Sequence, residues 1–514
     1  MRVTLPTNLP RALLVLALLA ATACNHPEWQ AQLTEVADAD KLKATPYVRC
    51  HLRDGGLVVL ERWQVDKKHS EVAGFGTHYN AQRAGIAVGH LHVAFADIAL
   101  LETNRVDEVI SAPLVVLGVV GGLSTVITLA CLTNPKACFG SCPTFYLDGD
   151  ASPVAEGFSA SISKSLEATD LDALWTADPP PGPFALTMRN EALETHLTDR
   201  VRLLALPHLP GERVLQTPAG FVAVRGLQAP LACQAANGDC LPQLLAFDGD
   251  EWSSRTDGHD LASRETLTLQ LPHPQGSSGL LLATRNTLLN TFLFYQVLAW
   301  MADDAGDWLM RLDDGDPRPK RALDSFSGEF AALRVQVLTE RGWQDVGSAS
   351  EIGPIAREVQ LLQLPDDVAD GPLQVRLNGT RGYWKIDQVA LATVTRAVTP
   401  VALDVQQVTR DGVPDPEALA LLRTADGERL RTLPGDALRL AFVLPPGPSE
   451  LFLESRGYYI EWLRQEWLSE RNPLKLLQLV ASPAPMLRAL APTYGQLEPG
   501  MEAVFWQSRM RPKR

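Results

Sequence analysis

At 514 residues the chain is too long for one hydrophobic core, and its length predicts three or four domains. Its composition, with 46% hydrophobic and 21% charged residues, is that of a packed protein and excludes global disorder. The formal net charge of −14 repels phosphate backbones, so we expect no nucleic acid among its partners.

The first residues have the three parts of a secretory signal. Arg2 and Arg11 form a positive leading region, residues 12–21 form an apolar run, and Ala21-Thr22-Ala23 forms a cleavage site of small residues. An apolar run this short indicates a cleaved signal rather than a membrane span. The chain is therefore expected to leave the cytoplasm.

Cys24 follows this site directly, and the segment resembles the lipobox of bacterial lipoproteins. The resemblance covers residues 1–24 only, and Ala21 stands where that family usually has Leu. It implies that Cys24 bears acyl chains, palmitate among them, and anchors the protein in the cell envelope, with Asn25 favouring the outer membrane. Ordinary cleavage after Ala23 also fits the segment.

Short β-type runs, glycine turns and a few helical patterns predict a mainly β, multi-domain fold with some helix. We expect a small β meander or barrel, β-sandwich modules and several helices. The predicted divisions are a signal peptide (1–23), a lipidated tether (24–45), a small β domain (46–108), an apolar segment (109–135), a β-rich domain with cysteine loops (136–275), a helical insert with an acidic linker (276–322), a β-sandwich (323–398) and a C-terminal α+β region (399–514).

The apolar segment 109–135 contains no charged residue and exceeds the roughly 20 residues that a membrane-spanning helix needs. A span is one interpretation; a buried helix between β domains and a hydrophobic hairpin lying on the membrane are the others. The choice matters because a span would place all later cysteines in the reducing cytoplasm.

Three stretches predict helices. Residues 156–175 and 451–468 have mixed patterns that favour helix, and an uncharged stretch between Arg285 and Asp303 has apolar residues at helical spacing. The last is too short to span a bilayer comfortably and is predicted to be a core helix.

The clearest β pattern lies in residues 323–398. Apolar residues alternate with polar ones from Leu333 and again from Leu373, and Asn378-Gly379 is a hairpin signal. The apolar phase then slips between Ile386 and Val389, which predicts a β-bulge.

With Cys24 used for the lipid, six cysteines remain, and an oxidising compartment favours disulfides among them. Two local pairs are candidates: Cys138 with Cys142, and Cys233 with Cys240. A two-residue hairpin at Asn237-Gly238 would set Ala235 opposite Cys240, so the second bridge would require a looser loop. Redox activity of Cys138 and Cys142 is the less favoured alternative.

Catalytic signatures are missing from the sequence: it contains no serine-hydrolase, zinc-protease, phosphate-loop or dinucleotide motif. We lean against an enzyme and expect no cofactor. His90 and His92 share one face of a predicted strand, but no third ligand is apparent, so no metal site is predicted. Aromatic residues that would stack on a sugar ring or another ligand, with core packing as the alternative, are Tyr383, Trp384, Tyr458, Tyr459 and Trp462.

These features favour a non-catalytic envelope lipoprotein that binds or scaffolds at the membrane surface, with an envelope protein or a glycan as its partner. The alternative is a hydrolase of cell-wall or extracellular polysaccharide, because such enzymes need only two carboxylates whose separation the sequence does not reveal.

We expect mass spectrometry of protein purified from its native membranes to find an acylated Cys24 as the N-terminal residue, since lipoprotein processing removes residues 1–23. Cys24→Ser should release the protein from the membrane fraction. Recovery of the wild-type protein from cytosol with an unmodified Met1 would contradict the predicted export and anchoring.

Overall fold

The computed structural model describes residues 25–510 except 43–44, 46, 82–83, 111–141, 176–178, 302–303, 327–329, 350–352 and 463–471. The predicted signal peptide, Cys24 and all but two residues of the apolar segment 109–135 lie outside the described residues. The chain divides into two compact units, Met1–Thr133 and Asn134–Arg514. The described residues form 29 strands and six helices, so the mainly β prediction is confirmed.

The described residues of the N-terminal unit form an antiparallel sheet with the strand order β1-β6-β2-β3-β4-β5. Its strands are β1 (Asn25–Thr34), β2 (Tyr47–Leu52), β3 (Leu57–Asp66), β4 (Glu71–Tyr79), β5 (Gly85–Ala94) and β6 (Ile98–Ile110), with a 3₁₀ turn at Val36–Lys41. Strands β2 to β5 follow one another as the predicted meander, and β6 returns to pair with β2. The predicted tether is wrong in part, because residues 25–34 pair with residues 101–110 along β6.

Apolar side chains that point to one face of these strands form the core of the N-terminal unit. Val48, Cys50 and Leu52 point to one side of β2 and pack with Leu60 of β3 and Ile98 of β6. Because successive side chains of a strand point to opposite faces, every second residue of β2 enters this core.

The C-terminal unit contains strands β7 to β29 and all six helices. The strands are β7 (Thr144–Leu147), β8 (Pro153–Glu156), β9 (Ala168–Ala173), β10 (Gly182–Arg189), β11 (Glu194–Pro207), β12 (Glu212–Thr217), β13 (Gly220–Gln228), β14 (Ala232–Ala235), β15 (Gly238–Asp239), β16 (Trp252–Ser253), β17 (Arg264–Leu271), β18 (Ser278–Asn286), β19 (Leu333–Thr339), β20 (Gly342–Ala349), β21 (Glu358–Gln363), β22 (Leu373–Thr380), β23 (Trp384–Val398), β24 (Val401–Asp404), β25 (Gln407–Arg410), β26 (Val413–Pro414), β27 (Leu430–Thr432), β28 (Ala437–Leu444) and β29 (Ser449–Glu461). The helices are α1 (Leu289–Met301), α2 (Asp304–Asp313), α3 (Pro317–Phe326), α4 (Pro416–Arg423), α5 (Pro473–Ala481) and α6 (Pro483–Gln507), and 3₁₀ turns lie at Lys164–Leu166 and Leu241–Leu244.

Two sheets form a sandwich from distant parts of the chain. The first has the order β26-β25-β28-β10-β7-β8, and the second has the order β24-β11-β29-β9 with β27 also on β11. Apolar residues of both sheets share one core, which includes Leu186 of β10, Leu203 of β11, Leu440 of β28 and Leu453 of β29. The sandwich is therefore built from residues before 208 and after 400, with a long insertion between them.

Within that insertion, five strands close into a small barrel. Strands β13, β12, β21, β18 and β23 pair in succession, and β13 pairs with β23 to complete the ring. The barrel core also receives Leu204 and Phe452 from the second sandwich sheet. That sheet is consequently buried on both faces.

A further sheet has the order β15-β14-β17-β22-β19-β20. The strands predicted in residues 323–398 divide between this sheet and the barrel, and both take partners from residues 212–286. The predicted sandwich of residues 323–398 is therefore not a domain of its own. Strand β22 also runs through Asn378-Gly379, and the chain reverses later at Gly382, whose φ of 75° suits glycine.

The predicted β-bulge is confirmed at Asp387. Ala283 pairs with Gln388 and Thr284 pairs with Ile386, so Asp387 is the extra residue of β23. Its buried carboxylate lies 2.7 Å from Nη1 of Arg357, which compensates its charge.

The predicted core helix is confirmed as α1, where Phe292, Leu293 and Leu298 are buried. The other two helix predictions are wrong. Residues 156–175 contain only one 3₁₀ turn before strand β9, and residues 449–461 form strand β29, because each segment pairs with a neighbouring strand. In the described part of the chain, no helix combines the length and apolar character needed to cross a membrane.

Candidate functional site

The N-terminal unit presents an exposed apolar edge at strand β5. This strand ends the sheet, contains no charged residue and is exposed along most of its length. Ile86 is 58% exposed, Val88 is 74% exposed, and Phe75 on the adjacent strand is 45% exposed. The edge therefore has neither charged side chains nor proline, which proteins commonly use to keep a free strand from pairing with other chains.

The register places Val88 and Phe75 on one face, because Val88 pairs with Thr77 and His90 pairs with Phe75. Ile86 is the extra residue of a β-bulge, since Ala87 pairs with His78 and Gly85 pairs with Tyr79. The opposite face of β5 contributes Val93 to the core. We refer to Phe75, Ile86 and Val88 together as the apolar edge.

Histidine and carboxylate side chains gather at the other end of the same face. One ligand atom each from Asp66, His69 and Glu71 lies within 4.8 Å of the others. Nδ1 of His69 is 2.7 Å from Oδ2 of Asp66, and Nδ1 of His92 is 2.8 Å from Oε1 of Glu71. The hydrogen bond between His69 and Asp66 raises the pKa of the imidazole and lowers the pKa of the carboxyl group.

His90 and His92 share one face as predicted, with ring centroids 5.0 Å apart. The sequence revealed no third ligand because Glu71 is distant along the chain and reaches His92 only through the pairing of β4 with β5.

A group of carboxylates forms a second candidate site, in the C-terminal unit. Asp170 and Asp172 alternate on β9, Glu156 ends β8, and Glu358 begins β21. The Glu156 carboxylate accepts hydrogen bonds from the backbone N–H of Ile355, at 2.8 Å, and of Ala356. Oδ2 of Asp172 is buried and has no hydrogen-bond partner in the described part of the chain.

Burial is the main reason that the pKa values of Asp170, Asp172 and Glu358 are raised. It raises the pKa of Glu358 to about 7, and the nearby charge of Asp170 adds to the rise. Burial also raises the pKa of Asp170, and it raises the pKa of Asp172 well above the ordinary range, together with the charges of Asp170, Glu358 and Glu156. Several carboxyl groups with raised pKa values therefore share this site, and a carboxyl group whose pKa lies near neutral pH suits general acid–base chemistry.

The aromatic residues predicted to stack on a ligand lie mainly in the core. Tyr383, Trp384, Tyr459 and Trp462 are buried. Nε1–H of Trp462 donates a hydrogen bond to Oγ1 of Thr195, at 2.8 Å. Tyr458 is half-buried and lies under the Arg429 guanidinium. A ring that stacks on a ligand needs an exposed face. The four buried rings therefore fit the alternative interpretation, in which they pack in the core.

The predicted Cys233–Cys240 disulfide is confirmed, with Cα atoms 5.1 Å apart. The prediction that this bridge requires a looser loop is wrong. Gln234 pairs with Asp239 and Ala235 pairs with Gly238, so Ala236-Asn237 forms a tight turn. This turn lies one residue earlier than predicted and sets the two cysteines opposite each other.

The predicted bridge between Cys138 and Cys142 is not formed. Cys142 is a free thiol, buried beside Phe158 and Tyr459 as the chain enters β7, and Cys138 lies outside the described residues. Burial raises the pKa of the Cys142 thiol, which opposes the thiolate that redox exchange requires. Cys50 is also free and buried, and burial raises its pKa to about 12.

No protein-family model and no curated protein matches the sequence. Among solved structures, the chain aligns with the secreted serine protease VesC from Vibrio cholerae, at 8% identity over 72% of this chain and 76% of that chain. The TM-score is 0.12, so this comparison supports no conclusion about fold or function.

The raised pKa values predict a pH-dependent stability. Since the folded state binds the Glu358 proton more tightly than the unfolded state, the free energy of unfolding should fall as the pH rises from 4.5 to about 7. Glu358→Gln removes this contribution and should reduce the fall. Urea denaturation at about pH 5 and about pH 8 measures it.

The matched control is Glu340→Gln, which alters an exposed carboxylate and should keep the wild-type pH dependence. An equal loss of stability in Glu358→Gln and the wild type across this interval would show that Glu358 ionises in the folded protein as freely as in water.

Proposed function

We propose that the protein is a lipid-anchored envelope protein that binds a partner protein by strand addition at β5. The observation that carries the proposal is the apolar edge, in which Phe75, Ile86 and Val88 lie exposed on or beside the terminal strand β5. Its unpaired backbone N–H and C=O groups are a template for a further strand, and Phe75, Ile86 and Val88 offer contacts to alternate side chains of that strand.

The edge favours a protein partner over a glycan. A sugar is held by hydrogen-bonding side chains and exposed aromatic faces, whereas most of the predicted aromatics are buried. Apolar side chains beside an open strand edge instead suit an extended polypeptide, which satisfies the backbone groups along its whole length. The acylated Cys24 would hold this edge close to other envelope proteins.

A double variant, Ile86→Lys with Val88→Lys, should weaken partner capture by at least about tenfold, because it removes two apolar contacts and places charge on the edge. The measurement is cross-linking in native membranes, followed by purification and mass spectrometry. Val443→Lys alters a residue that is 60% exposed in the C-terminal unit and serves as the matched control.

Hydrogen exchange supplies an independent readout. Within residues 85–92, the amides that face away from β4 should become protected in the cross-linked complex relative to the free protein, since strand addition pairs them. Recovery of the same partners by the double variant, with the β5 amides exchanging at the free rate, would refute strand addition.

Hydrolysis of a polysaccharide is the second candidate function, favoured by the carboxylate group on β9 and β21. Glu358, with a pKa raised to about 7, would serve as the general acid, and Asp170 or Asp172 as the second carboxylate.

If the protein is such a hydrolase, it should release reducing ends from purified bacterial sacculi or from a panel of soluble polysaccharides. Glu358→Gln should then lower the rate by about 100-fold or more, because general acid catalysis contributes that much. Glu340→Gln again serves as the control. Absence of released reducing ends, or an unchanged rate in Glu358→Gln, would eliminate this candidate.

A further inference from the structure

The β3–β4 hairpin and strand β5 bring together four side chains that the sequence keeps apart. Asp66 and Glu71 pair directly across the hairpin, and His69 lies in the turn between them. The turn is tight: Ser70 has a φ of 54°, and the backbone N–H of His69 donates to Oδ1 of Asp66, at 3.1 Å. The hairpin therefore sets one imidazole and two carboxylates at a single point.

Strand β5 adds the second imidazole. His92 pairs with Ala73, two residues beyond Glu71 on the same face, and its Nδ1 lies 2.8 Å from Oε1 of Glu71. Glu71 is thus near His69 of the hairpin and also contacts His92 of β5, so it links the two histidines. His90 lies next to His92 on this face.

We propose that Asp66, His69, Glu71 and His92 bind a divalent transition-metal ion of the zinc type. The donor set decides the class of ion: imidazole nitrogen suits zinc, copper, nickel or cobalt, whereas calcium and magnesium prefer sites made of oxygen alone. Two imidazoles and two carboxylates supply the four ligands of a tetrahedral site.

The ligand atoms of Asp66, His69 and Glu71 lie within a small side-chain adjustment of such a site, and His92 joins them through its contact with Glu71. Ligand atoms about 2.1 Å from a tetrahedral zinc ion lie about 3.4 Å from one another, and those of Asp66, His69 and Glu71 all lie within 4.8 Å. The side chains of His69 and His92 are 61% and 57% exposed, so both have room to turn toward a common centre. Their carboxylate partners are held on strands, which fixes the spacing.

The same contacts also describe two ordinary imidazole–carboxylate hydrogen bonds with no ion, and exposed pairs of this kind stabilise a protein little. The two interpretations differ in one property. A metal site requires all four side chains together, while two hydrogen bonds are independent of each other. This site is separate from the apolar edge, and its proposal does not depend on strand addition.

The test is calorimetric titration of the full-length protein with Zn²⁺ near neutral pH, after removal of any bound metal. The wild type should bind one ion. His69→Ala and His92→Ala should each weaken binding by about 100-fold or more, because loss of a ligand exceeds the 10–100-fold effect of losing an outer-shell partner. His259→Ala, which alters an exposed histidine of the C-terminal unit, should leave the affinity unchanged.

Substitution with Co²⁺ supplies a spectroscopic readout, since a tetrahedral site with nitrogen ligands gives an intense visible absorption that Asp66→Asn or His92→Ala should abolish. The proposal is overturned if the wild type takes up no Zn²⁺, or if His69→Ala and His92→Ala bind it as tightly as His259→Ala.

Discussion

The long antiparallel pairing of β11 with β29 is the interaction on which the C-terminal unit depends. It joins residues 194–207 to residues 449–461 through 13 Cα pairs, with one irregularity between Thr198 and Arg200. Both strands are buried on both faces: Leu203 and Leu453 enter the sandwich core, while Leu204 and Phe452 enter the barrel core. One ladder therefore couples two hydrophobic cores and closes the sandwich around an insertion of nearly 200 residues.

The insertion is held to the end of the chain by charge as well as by apolar packing. Arg285 of β18 lies 2.5 Å from a Glu251 oxygen and 2.6 Å from a Glu502 oxygen, and Lys385 of β23 also contacts Glu502. These cations keep the pKa of Glu502 low, at about 2. Phe292 of α1 packs on Tyr494 of α6, with ring centroids 5.0 Å apart. Helix α6 is thus held against the insertion by a network of ion pairs and by an aromatic contact.

The two candidate regions differ in what burial does to them. In the C-terminal unit, burial raises the pKa values of Asp172 and Glu358, which suits acid–base chemistry. In the N-terminal unit, apolar side chains and the histidine and carboxylate side chains of the proposed metal site are exposed or partly exposed. An exposed apolar edge carries a risk of aggregation, so its presence favours a partner more directly than a cluster of buried acids favours catalysis.

Periodicity alone determined much of the local structure. The alternation from Leu333 and from Leu373, the bulge between Ile386 and Val389 and the helix after Arg285 are all local patterns, and each is present in the fold. The signal-like segment likewise predicts export without any knowledge of the fold.

Only the tertiary structure decided which strands pair, because pairing depends on partners that lie far apart in the chain. The pattern of residues 451–468 predicts a helix, but residues 449–461 form strand β29 because β11 pairs with them. The turn of the Cys233–Cys240 hairpin lies one residue earlier than predicted because pairing sets the cysteines opposite each other. The shared face of His90 and His92 is a local property and was predictable, whereas Asp66, His69 and Glu71 join them only through the register of two hairpins. The periodicity of apolar side chains is a property of a few consecutive residues, whereas the register of a strand is set by the packing of the whole sheet.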